Sequence, residues 1–296
     1  MKFTSACGLL LSGVAIFATG CNRPVTAGPR AEAKAVEEIR AALLAGAPSS
    51  DEAAETEEVA AEGWATIQGK FTVDGATPAP EPLAQPKTVP ECSKHTLVDE
   101  SLIVNDGALV GAAIYARTPK LQVNPDLETA AADVVLDNKD CRFEPHVVFV
   151  RAGQKLKVKN SDPFGHNTKL DAKTNPAQNF SLPTGETVEH TFDKEEQQPI
   201  KVGCSIHPWM GGWAIVRGNP YGAVSDKTGS FVIAKLPAGR EIEFQLWKEK
   251  GKAWSGATIE ADGEPVKLDG KGRFKLKLET DKDVALKIVV PADALK

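Results

Sequence analysis

The chain reads as all-β, folded as two sandwiches. Three observations lead there. Short stretches alternate apolar with polar residues. Turn dipeptides such as Asp74-Gly75, Asp106-Gly107 and Asp269-Gly270 stand between them, and no long stretch after residue 62 has helical periodicity.

The first residues belong to export rather than to the fold. Lys2 precedes an apolar run over residues 7–18, followed by Ala18-Thr19-Gly20-Cys21. That run falls short of the roughly 20 residues that spanning requires, and small residues before a Cys resemble a bacterial lipobox. The expectation is a signal peptide over residues 1–20, cut before a Cys21 that takes up lipid. The protein is then held at the periplasmic face of a bacterial membrane. Ordinary secretion and an uncleaved anchor are the alternatives.

Residues 21–62 read as an acidic, solvated tether, because without an aromatic residue they bury too little apolar surface to offset chain ordering. Val36, Ile39 and Leu43 fall at helical spacing, so residues 31–45 form either a transient helix or a short amphipathic one on the lipid surface. The formal net charge of −5 resides largely in this tether; from Gly63 onward acidic and basic residues nearly balance. A basic stripe with interleaved aromatics is missing, so nucleic acid is not an expected partner.

The body then alternates. Residues 64–73 lead into the Asp74-Gly75 turn, a Pro-rich loop covers residues 77–90, and residues 101–104 and 108–115 supply two more strands. Residues 154–159 alternate directly before a turn-rich loop that carries His166. Ile200, Val202 and Cys204 share one face of a strand by period two, so the thiol points inward with its apolar neighbours. Later strands fall within residues 223–247, 258–260, 266–268, 273–278 and 285–290.

Cys204, His207 and Met210 place a thiol, an imidazole and a thioether within seven residues. A thiolate and imidazoles bind copper strongly, a thioether binds it weakly, and a second imidazole is available at His166. Zinc is the competing metal, since a Cys-His-His set with an open position suits it too.

The joint pattern resembles the cupredoxins, the copper electron carriers that include plastocyanin and amicyanin. It comprises Phe143, Pro145, Val148, Val150 and Gly153, then Asn160 and His166-Asn167, then Cys204-x-x-His207-x-x-Met210. The resemblance implies a Greek-key copper domain over residues 131–217, with one copper ion held by His166, Cys204, His207 and Met210. It implies that the Asn167 backbone N–H bonds the Cys204 sulfur and that Asn160 ties the ligand loops together. It also implies that the His207 edge reaches the surface in an apolar patch of Phe164, Pro208 and Trp209, with Pro163 beside them, where redox partners dock.

Residues 223–239, together with Ile67-x-Gly69-x-Phe71 and residues 109–112, resemble a carboxypeptidase-regulatory-like, transthyretin-like β domain. Residues 63–130 would then be its first part and 218–296 its remainder, with the copper domain inserted between. The alternative is a linear chain, with one enlarged domain over residues 64–217 and an appendage after it.

Of the five cysteines, Cys7 lies in the signal, Cys21 at the lipid site and Cys204 at the metal. Cys92 and Cys141 remain, either as a disulfide, which an oxidising compartment favours, or as two buried thiols. His146 is favoured as a structural or surface residue, with an extra metal ligand or a proton-linked modulator of the site as the alternatives, and His95 and His190 are expected on the surface.

The function expected is an exported electron carrier, monomeric and not an enzyme: the sequence has no second metal cluster, no Ser-His-Asp order and no phosphate-cradling Gly loop. Copper storage or delivery, and a cell-surface β interaction module, are the competing readings.

Overall fold

The computed structural model describes Lys34 and residues 60–83, 89–129, 132–251 and 254–296. The expected signal peptide, Cys21, most of the expected tether and the short helix expected in it lie outside the described residues. Among the described residues no helix is long and apolar enough to cross a membrane.

The first part of the chain supplies β1 (Trp64–Asp74), β2 (Ile103–Asn105), β3 (Ala108–Val110) and β4 (Ala113–Ala116), then a one-turn helix, α1 (Pro125–Thr129). The middle supplies β5 (Val134–Lys139), β6 (Arg142–Glu144), β7 (Val147–Arg151), β8 (Lys155–Asn160), β9 (His166–Leu170), β10 (Gln178–Leu182), β11 (Thr187–Thr191), β12 (Ile200–Gly203) and β13 (Gly211–Arg217). The return supplies β14 (Gly222–Val224), β15 (Ser230–Pro237), β16 (Glu241–Trp247), β17 (Thr258–Ala261), β18 (Glu264–Val266), β19 (Arg273–Lys277) and β20 (Val284–Pro291).

The two ends of the chain build one sandwich together. β1 lies at the centre of a seven-stranded sheet, antiparallel to β15 and β3 and parallel to β20 over Ile67–Asp74. The facing sheet runs β14-β4-β16-β19. Period-two alternation explains the register: Ile67 and Phe71 of β1 are fully buried, as are Ile288 and Val290 of β20. Phe71, Phe231, Phe244 and Trp254 fill the space between the sheets.

The middle strands pair only among themselves, in a five-stranded sheet β10-β9-β12-β13-β7 and a four-stranded sheet β11-β8-β5-β6. Leu136, Leu156, Val158, Leu170, Phe192 and Val202 form their common core. The β5–β13 sandwich is thus inserted between β4 and β14 of the host sandwich.

The two sandwiches meet along Tyr115, Val147, Phe149, Ile215 and the tilted pair Trp213–Trp247, whose ring centroids are 5.5 Å apart. Gly222 is required here, because a Cβ at that position would collide with the Phe149 ring. His146 crosses the same boundary, with Nε2 2.5 Å from the Glu249 carboxylate and Nδ1 3.8 Å from Glu100. Burial disfavours charge on His146, yet the Glu249 hydrogen bond and the surrounding carboxylates outweigh it and raise its pKa.

Cys92 and Cys141 form a disulfide between the host's loop and the insert. The loop is itself folded: Pro82 bridges Val98, and Leu83 N–H donates to Leu97 O at 2.9 Å. His190 departs from the surface position expected. It is half-buried, its ring set between Phe180 and Phe192, and its Nε2 is buried with no hydrogen-bond partner. A strand edge seen only in sequence does not reveal that the flanking aromatics turn toward it.

Candidate metal centre

β12 carries Ile200 and Val202 into the insert's core, and the chain leaves the sheet with Cys204 still facing inward. The next six residues form a tight loop. The Cys204 N–H donates to Met210 O at 3.3 Å and the Met210 N–H to His207 O at 2.9 Å, so both ends of the loop are tied before β13 begins. Gly212 starts the return because a Cβ there would press on the His146 carbonyl oxygen.

His166 enters from the opposite side, at the start of β9. Cys204, His207 and His166 are buried together, at 5%, 4% and 1% exposure. The two Nδ1 atoms of His166 and His207 stand 2.9 Å apart, the Cys204 sulfur is 3.8 Å from His207 Nδ1, and all three donor atoms lie within 4.8 Å of one another. Two imidazole lone pairs facing each other at that distance repel, unless a proton or a cation stands between them. Nitrogen and sulfur ligands bind at about 2.0–2.3 Å, so the triangle fits a single ion of that size. Met210, 3% exposed, closes the same loop and packs in the same core.

Hydrogen bonds around the donors fix their states. Asp162 Oδ2 lies 2.9 Å from His166 Nε2 and accepts its proton, which leaves Nδ1 free for a metal. Asp162 is itself held by the backbone N–H groups of Asp140 and Cys141, at 2.7 and 3.0 Å. Burial opposes its charge, but these donors and His166 lower its pKa. Burial likewise disfavours charge on His166, while Asp162 and the Cys204 sulfur reverse this and raise its pKa. At Cys204 burial works against the thiolate, and bonding from His166 and from the Asn167, His207 and Ile206 backbones lowers the pKa overall. His207 is pushed down by burial and by the neighbouring His166.

Asn160 and Asn167 brace the loops. Asn160 Nδ2 donates to Phe164 O at 2.8 Å and to Leu182 O at 2.9 Å, and its Oδ1 accepts from the Asp162 N–H. Asn167 Oδ1 accepts from the Ser205 and Ile206 N–H groups at 2.8 and 3.3 Å, joining the two ligand loops, and lies 3.4 Å from the Cys204 sulfur. Asp162 was not anticipated from the sequence. A carboxylate four residues before the ligand His was the available signal, since such imidazoles commonly donate their second N–H to one.

The apolar docking patch needs correction. Phe164 and Trp209 do lie by the site, 5.6 and 5.1 Å from the His207 ring, but both are half-buried. Leu83, Val89 and Leu97 of the host's loop pack with them around the disulfide, and Trp209 Nε1 donates to Cys141 O at 3.2 Å. Pro163 and Pro208 remain exposed, joined by Ile206 at 59% exposure. A loop from a different domain covers this face, which the insert's own sequence could not disclose.

Residues 130–217 match the model of a family described as copper binding proteins, plastocyanin/azurin family. This stretch is a cupredoxin domain. The match and the buried Cys-His-His donor set give its cofactor as one copper ion. No curated protein sequence matches the chain. Among solved structures, a purple cupredoxin from Nitrosopumilus maritimus is 25% identical with a TM-score of 0.24, over 29% of this chain and 98% of its own. A variant of amicyanin in its reduced Cu(I) form is 22% identical with a TM-score of 0.27, over 35% of this chain and 99% of its own. A copper-containing nitrite reductase from Thermus scotoductus SA-01 is 22% identical with a TM-score of 0.27, over 34% of this chain and only 25% of its own.

Proposed function

We propose that this protein is an exported, lipid-anchored type 1 copper protein that carries single electrons between redox partner proteins and is not itself an enzyme. His166, Cys204 and His207 would hold the copper, with Met210 as a fourth ligand. Bound there, copper supplies a one-electron couple between Cu(I) and Cu(II). The observation that carries the reading is the closed donor triangle with Asp162 on its far side.

The chain's contribution is rigidity. Asp162 holds the His166 tautomer, Asn167 locks the Cys204 loop to β9, and the loop's own hydrogen bonds leave His207 and Met210 little freedom to rearrange. A site that does not move as its charge changes exchanges electrons at small reorganisation cost. Burial of the three donors favours a carrier over a storage or delivery protein, which needs ligands that a partner can reach. Partners approach across Pro163, Ile206 and Pro208, since the host's loop occupies the Trp209 side. The host sandwich is a regulatory-like β domain that presents the copper domain, and Cys21 ties both to the periplasmic face of the membrane.

The visible spectrum tests this. Copper-loaded protein should show an intense thiolate-to-copper band that reductant bleaches and that Cys204→Ser lacks. Stoichiometric copper with no such band would sink the carrier reading and leave copper handling.

A further inference from the structure

The disulfide between host and insert stands directly behind the metal ligands. We propose, on the strength of the copper reading above, that Cys141, fastened by this bridge to the host's loop, is a positioning residue for the copper: its own backbone holds both ligand-bearing loops.

Each backbone group of Cys141 goes to a different ligand loop. Its N–H donates to Asp162 Oδ2 at 3.0 Å, the same oxygen that stands 2.9 Å from His166 Nε2. Its carbonyl oxygen accepts from Trp209 Nε1 at 3.2 Å, and Trp209 lies between His207 and Met210 in the other loop. One residue outside the donor set thus reaches both sides of it, while its sulfur is bonded to Cys92.

A cysteine does not hold this backbone conformation unaided. Lys139 pairs with Arg142, so Asp140 and Cys141 form the two-residue turn between β5 and β6, with φ of 53° and 61°. Positive φ at both central residues defines a type I′ turn, which Asp-Gly adopts readily. Cys141 occupies the place of that Gly, where a Cβ crowds the following carbonyl. The bridge opposes the relaxation that this crowding favours. Both of its cysteines are buried, packed with Leu97, Phe164 and Trp209, so the sulfur is a fixed anchor for the turn. Without that anchor, a residue with a side chain at 141 relaxes toward negative φ, which turns its N–H from Asp162 and its carbonyl from Trp209. His166 then loses the fixed acceptor that sets its tautomer.

Two variants without the bridge separate the backbone's role from the sulfur's: Cys92→Ala with Cys141→Ala, and Cys92→Ala with Cys141→Gly. Copper affinity is read by competition against a chelator, with circular dichroism reporting that both variants fold. The Ala pair should bind copper about tenfold more weakly than wild type, the loss expected when a partner behind a metal ligand is disturbed. The Gly pair should keep wild-type affinity, because glycine takes positive φ without strain and retains both hydrogen bonds. Proton–nitrogen correlation spectra of the imidazoles in the metal-free protein give a second readout. A single His166 tautomer, protonated at Nε2, is expected in wild type and the Gly pair, and tautomer exchange in the Ala pair. Wild-type affinity or a single tautomer in the Ala pair would overturn the proposal, and so would a Gly pair that falls short of wild-type affinity. A wild-type chain that takes up no copper would instead sink the carrier reading, while the imidazole spectra still decide the role of Cys141.

Discussion

Asp162 acts on copper without touching it. It accepts the His166 Nε2 proton and is anchored by two backbone donors, so removing it frees the imidazole to rotate and to change tautomer. Asp162→Ala should weaken copper binding by about 10–100-fold, read by competition against a chelator of known affinity. Glu196 is a second carboxylate with a structural task. It is 2% exposed and accepts from the backbone N–H groups of Lys173, Thr174 and Asn175 and from the Asn175 side chain. Burial alone would raise its pKa, but these donors lower it. A depressed folded pKa means stability present above the unfolded value, about 4.3, and lost as pH falls through the folded one. Glu196→Gln should cost about 1–3 kcal/mol near neutrality, with the melting temperatures of variant and wild type converging in acid. A constant gap at all pH values would contradict this. At this scale the sequence spoke clearly for Cys204, His207 and Met210, whose spacing is itself the motif. It was silent on Asp162 and Glu196, because a carboxylate's partners are fixed only when distant backbone amides arrive.

The host's loop is the element that separates this site from the patch expected of it. Residues 81–83 and 97–99 pair, the Cys92–Cys141 disulfide fastens the turn between them to the insert, and Leu83, Val89 and Leu97 cover Trp209 and Phe164. The double variant Cys92→Ser, Cys141→Ser should lose about 2–4 kcal/mol of stability, as expected for opening a loop of this length. It should also accept electrons faster from a small reductant, because the His207 side becomes accessible. Stopped-flow bleaching of the copper band measures the second effect; a rate unchanged in a less stable variant would show that the loop guards nothing. The loop's composition, rich in Pro and flanked by a lone Cys, announced an irregular segment. Its destination was legible only as one of two alternatives.

Across the whole molecule, the two sandwiches are joined by packing, by the Cys92–Cys141 disulfide and by several charged contacts, of which His146–Glu249 is the shortest. Gly222 lets Phe149 lie against β14, so Gly222→Leu should force the domains apart, cost about 1–3 kcal/mol or more, and split one calorimetric transition into two. His146 contributes a pH dependence of the opposite sign to Glu196. Its folded pKa lies above the unfolded value, about 6.5, because the Glu249 bond outweighs burial. The stability it lends is therefore full below that value and fades as pH rises through the folded pKa. His146→Gln should abolish this alkaline decline while leaving the acidic one, which melting curves across the pH range would display.

The sequence by itself determined the all-β class, the copper ligands' chemistry and the presence of two sandwich-forming regions. Each of these is a local property: alternation follows from the strand's two-residue period, and the Cys-His-Met loop carries its donors within one short segment. Tertiary structure alone decided that β1 pairs with β15 and β20 across an inserted domain, that Asp162 orients His166, and that a loop of one domain closes over the metal face of the other. Those relations join residues far apart in the chain. Their partners are chosen by the shape and buried surface that appear only once both sandwiches have formed.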